Sequence, residues 1–111
     1  MQCSVVKQDL WKLRIGERHK GFQCAVQSAR LCIEKQECLW NAAKMLYPQV
    51  SELLGMPEAN VEQNIRYIAA KGWNNDPEYL AYIAGYEMNR PPAAREFIEI
   101  LVHHAISVGT V

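Results

Sequence analysis

Apolar residues recur at three- and four-residue steps along nearly the whole 111-residue chain, and that period restricts the fold more than any single motif does. Phe22, Ala25, Val26, Ala29 and Ile33 predict an amphipathic helix over about 21–35, with Gly21 just before it. Leu39, Ala42, Ala43 and Leu46 mark a shorter helix that must break near Tyr47, because Pro48 lacks an amide hydrogen and crowds the preceding turn. Pro48 suits the first turn of the next helix, which carries Val50, Leu53 and Leu54 inward and stops at Gly55. After Met56 and Pro57, a longer helix is expected from about Glu58 to about Gly72, with Val61, Ile65, Ile68 and Ala69 on one stripe. Asp76 can cap a short helix that has Pro77 in its first turn and ends at Gly85. A last helix places Phe97, Ile98, Leu101, Val102 and Ala105 on one face and continues to about Val108.

The expected fold is therefore all-α, with about six helices and no convincing strand in one compact domain. Residues 1–15 are less clear. Val6, Leu10 and Leu13 have helical spacing, but Gly16 and a charged run follow, and a partly ordered amino-terminal arm is expected there. Residues 16–111 then form the single helical domain, with a helix-turn-helix at about 48–72.

Composition removes several classes of function. Half the residues are apolar, yet no apolar run approaches the roughly 20 residues of a membrane span, and the charged first 16 residues do not resemble a signal peptide. A soluble, cytoplasmic protein is expected. Cys3, Cys24, Cys32 and Cys38 contain no CxxC pair and fit neither a zinc pattern nor a dense disulfide framework, so reduced, packed thiols are expected. His103 and His104 are adjacent and point about 100° apart on a helix, which makes joint chelation difficult, and His19 is isolated in sequence. No nucleophile with a neighbouring base and no glycine-rich phosphate loop stands out, so neither an enzyme nor a cofactor or metal site is expected.

Net charge is zero, whereas neutralising phosphates normally takes a surplus of Lys and Arg. The distribution is uneven. Residues 1–20 hold five cations against two acids, residues 21–75 balance, and residues 76–111 hold two cations against five acids. Such polarity can orient a molecule on a polyanion, and it is equally what ordinary solvated helix faces produce.

A short helix, a glycine-centred turn and a longer helix make up the arrangement whose second helix lies in a DNA major groove. With the apolar stripe turned inward, the longer helix presents Asn60, Gln63, Asn64, Tyr67 and Lys71, flanked by Glu62 and Arg66. Asn and Gln amides can pair with adenine, Arg with guanine, and Glu can accept from cytosine. An amide-rich outer face also arises on helices that bind nothing, so the residues alone leave both readings open.

Lys20-Gly21-Phe22, Leu46-Tyr47-Pro48, Val61-Glu62 with Ile65-Arg66, Trp73, Gly85-Tyr86 and Glu96-Phe97-Ile98 occur in an order and spacing similar to one known family. Over about residues 15–108 the chain resembles the carboxy-terminal effector domain of the master regulator of sporulation initiation in Gram-positive spore formers. The resemblance implies a six-helix fold, a DNA-binding unit formed by residues 48–54 and 58–72, paired subunits on a short repeated element, and a last helix that helps them associate. It also implies that Glu62 and Arg66 face DNA. The chain departs from that family at Asn60 and Gln63, where arginines are usual, at Tyr67, where a histidine is usual, and at Glu52 with Leu53, where a lysine pair is usual. Losing two to four cationic contacts would flatten the salt dependence of binding by roughly 0.9 per contact.

Residues 1–20 cannot supply the roughly 120-residue parallel α/β receiver that precedes such effectors, so phosphorylation-driven pairing is not expected within this polypeptide. The leading expectation is a transcription-regulating module that puts the helix after Pro57 into the major groove of double-stranded DNA. Asn60, Gln63 and Asn64 would read bases, Arg66 and Lys71 would hold phosphates or a guanine, and Tyr67 would pack on a sugar or thymine methyl. A homodimer or pairing with a related regulator is expected as a partner, and the alternative function is a protein-interaction module that no longer binds DNA and pairs with a related regulator through the last helix.

Overall fold

The structure, a computed structural model, describes residues 2–109, with side-chain surroundings from Ser4 onward. Among the described residues six α-helices follow one another: α1 Gln2–Lys12, α2 Lys20–Glu34, α3 Tyr47–Leu54, α4 Glu58–Asn75, α5 Pro77–Ala84 and α6 Ala94–Ser107. No strand occurs among the described residues. α2 is the central strut. It packs on α1, α4 and α6, while α4 also meets α3, α5 and α6. Phe22, Ile65, Ile68, Phe97, Ile98 and Leu101 are fully buried where these helices meet, and removing such side chains from water is the main force holding the helices together.

The tally matches the expected six, but its membership differs. Where an arm is expected over 1–15, the described residues there, from Gln2 onward, are largely helical. α1 occupies most of them, and Val6, Leu10 and Leu13, on one face, are completely buried together with Ile15. Asp9 lies among them on that face. In the fold it is only 2% exposed, because its two carboxylate oxygens accept from the Tyr79 hydroxyl at 2.6 Å and pair with His104 Nδ1 at 2.6 Å.

The short helix expected over 39–46 is also replaced. A 3₁₀ turn, Gln36–Leu39, is followed by a π-helical turn, Ala42–Leu46, which runs directly into α3. Pro48 has no amide to give to the carbonyl four residues earlier, and a widened turn is one way a helix absorbs such a gap. The Gln49 side-chain amide donates to the neighbouring Met45 carbonyl.

Other boundaries follow local chemistry. Gly55 takes the left-handed conformation (φ 66°, ψ 40°) that ends α3. The Asp76 side chain accepts from the Tyr79 amide at 3.0 Å and Pro77 opens α5, as the sequence predicts. α4 continues one turn past Gly72, since that glycine lies against Leu13 and Ile15 and the Asn75 side chain donates to the Leu13 carbonyl at 2.9 Å. Gly21 lies within α2 rather than ahead of it and is buried. A β-carbon there would sit 2.5 Å from the Asn64 carbonyl oxygen and 2.6 Å from Ile68 Cγ2, so only glycine lets α2 approach α4 this closely.

Cys24, Cys32 and Cys38 are buried free thiols, and Cys3 lies outside the residues whose side chains are described. Burial pushes the Cys24 thiol up to about 11 and the Cys32 thiol up to about 12, which keeps both protonated. Among the described residues no helix is long and apolar enough to cross a membrane.

Candidate nucleic-acid interface

α3 and α4 follow one another across a short turn that is held from both sides. Within it, the Met56 amide donates to the Ser51 carbonyl at 3.2 Å and the Ser51 hydroxyl donates to the Met56 carbonyl. Behind it, the Met56 sulfur rests 3.7 Å from the buried Cys24 sulfur of α2. The angle between the two helices is thus tied to the core.

α4 is divided lengthwise. Val61, Ile65, Ile68 and Ala69 are completely buried, as their spacing predicts, and Gly72 joins them. On the other side Asn60, Gln63, Arg66 and Tyr67 are exposed, Tyr67 by 59%, while Glu62, Asn64 and Lys71 are half-buried along the edges. All seven side chains named from the sequence therefore lie off the core, on one helix about 27 Å long at 1.5 Å per residue.

Their states differ, however. Gln63 is an exposed amide with no hydrogen bond to another described residue. The Asn64 amide donates to the Asn60 carbonyl at 2.7 Å, so its donor is committed to its own helix and must rotate away before it can bond a base through both atoms. Arg66 and Glu62 pair one turn apart at 3.4 Å, with the arginine 60% and the glutamate 35% exposed. A pair this open is worth only a few tenths of a kcal/mol, so a guanine or phosphate can compete for the arginine.

Tyr67 has a neighbour that the sequence did not announce. The His19 ring, 48 positions away, lies against it with centroids 6.1 Å apart. From the sequence His19 was isolated, and nothing there linked it to α4. The link arises because Gly21 brings the start of α2 against the middle of α4, a long-range contact that no local spacing encodes.

The electrostatics of the unit are weak. α3 and α4 together carry Glu52, Glu58 and Glu62 against Arg66 and Lys71, one acid in excess. Neither helix alone can draw a polyanion to this face.

Comparison with protein families resolves the resemblance. A family model described as "Sporulation initiation factor Spo0A C terminal" matches residues 6–105, from within α1 to within α6, and so takes in α2 to α5 entirely. The all-helical architecture and the α3–α4 pair agree with that match, and the chain belongs to the Spo0A C-terminal family, the DNA-binding domain of a regulator of sporulation.

Proposed function

We propose that this chain is a sequence-specific transcriptional regulator module that acts in the cytoplasm and reads duplex DNA with the exposed face of α4. The observation that carries the proposal is the lengthwise division of α4. One face is sealed into the core and the other offers Asn60, Gln63, Arg66 and Tyr67 to solvent, on a helix that a major groove admits and a minor groove is too narrow to take. Gln63, an exposed amide that bonds no other described residue, is suited to adenine, with Asn60 beside it and Asn64 available after a rotamer change. Arg66 would exchange its Glu62 partner for a guanine or a phosphate, and Glu62 could then accept from cytosine. Lys71 would serve a phosphate, and Tyr67 a sugar or a thymine methyl.

Two copies on a repeated element would double the contacts, with α6 contributing to the pairing. A duplex-binding titration at low and moderate salt tests the proposal. Binding should be steeply salt-sensitive, and Arg66→Ala should weaken it several-fold. No retardation at either salt concentration would instead favour the rival reading, a protein-interaction module pairing with a related regulator. The excess acid on α3 and α4 is the observation on that side.

A further inference from the structure

The α3–α4 pair lacks the positive charge that duplex binding requires, yet the segment lying against it does not. From the end of α1 to the first residue of α2, residues 14–20 hold Arg14, Arg18 and Lys20 against Glu17 alone. This segment is pinned to α4 at two heights. At the carboxy-terminal end of α4 the Arg14 guanidinium donates to the Asn75 carbonyl, and the Asn75 side chain returns a bond to the Leu13 carbonyl. Nearer the middle, His19 lies on Tyr67 and Gly21 abuts Asn64 and Ile68. Arg14 is thereby committed to the fold. Arg18 and Lys20 are exposed, and neither forms an ion pair among the described residues.

We propose that Arg18, His19 and Lys20 form a phosphate clamp beside α4, gripping the DNA backbone next to the groove that α4 enters. The clamp rests on the DNA-binding reading above and supplies what that reading lacks. Tyr67 belongs to the outward face of α4 and His19 touches it, so cations on either side of His19 in the chain stand at the rim of that face. There a strand bordering the groove would pass. Lys20 opens α2, where the helix dipole also favours an anion. The contact is blind to sequence. It sets affinity and register and leaves discrimination to Gln63 and its neighbours.

Arg18→Gln with Lys20→Gln removes two cations without touching the core, and Lys35→Gln removes one from the far end of α2, on the order of 22 Å away at 1.5 Å per residue. Affinity of the full chain for a random duplex is measured across a salt series, with thermal melting to verify folding. The double variant should bind more weakly, and its log–log salt slope should be shallower than that of the unaltered chain by about 1.8, while Lys35→Gln leaves the slope unchanged. His19→Ala should lower affinity with little effect on melting. If the unaltered chain binds and the double variant keeps its slope, or if Lys35→Gln flattens the slope as much per charge, the clamp is wrong and the α4 reading stands. If the unaltered chain binds no duplex at low salt, both fall.

Discussion

The two polar regions of this molecule are built on opposite rules. Where α1, α5 and α6 meet, Asp9 is almost wholly enclosed, and both of its oxygens are bonded at 2.6 Å, to Tyr79 and to His104. On the outer face of α4 the polar groups are solvated, joined by an open ion pair, or bonded only to their own helix. A buried polar group without a partner costs about 1–3 kcal/mol, so the first region contributes to stability only while its bonds are complete. A solvated group costs nothing to leave unpaired, and the second region can keep its donors and acceptors for another molecule. The contrast separates polar residues that hold the domain together from polar residues that are free to recognise something.

Removing Asp9 should produce the largest effect. Asp9→Ala strands both the Tyr79 hydroxyl and the His104 ring, and a loss of about 2–5 kcal/mol is expected by denaturant unfolding; a loss below about 0.5 kcal/mol would show that the enclosed network is not structural. Gly21→Ala comes next. Its methyl meets the Asn64 carbonyl and Ile68, so about 1–3 kcal/mol should be lost, along with some DNA affinity as α4 is displaced.

Alkaline conditions probe the same enclosed region. Burial first, and then the hydrogen bond and charge of Asp9, hold the Tyr79 hydroxyl well above the ordinary tyrosine value of about 10. Its folded state thus binds the proton more tightly than the unfolded state does. The contribution is complete below about pH 10 and is lost as pH rises further, and Tyr79→Phe should flatten that part of the stability profile. Buried thiols give a kinetic counterpart. Cys24 and Cys32 should react with a thiol reagent at pH 8 only as fast as the domain opens. The smallest stability effect belongs to the open face, where Gln63→Ala should leave unfolding within about 0.5 kcal/mol of the original while changing DNA preference.

The same contrast accounts for what the sequence disclosed. From residue 20 onward, prolines and glycines at 48, 55, 77 and 85 sit beside apolar stripes, and the helix limits there follow from one or two neighbouring residues, although Leu53, expected inward on α3, is 55% exposed. The outward face of α4 was legible for the same reason, since the inward face fixes its complement. α1 was not, because Gly16 and a charged run follow the helical spacing of Val6, Leu10 and Leu13, and the partners that enclose Asp9 on the same face lie 70 and 95 positions away. The role of His19 was hidden likewise, and the π turn before α3 reflects how the chain absorbed Pro48 rather than a pattern of its own.

The most direct measurement is selection of bound sequences from a randomised duplex pool, with the unaltered chain and with Gln63→Ala side by side. If the open face of α4 touches base edges, the unaltered chain enriches a defined motif, and the substitution relaxes preference at one position in it while the rest persists. Enrichment of no motif, or of the same motif by both proteins, would contradict the placement of Gln63 and of α4 in the groove.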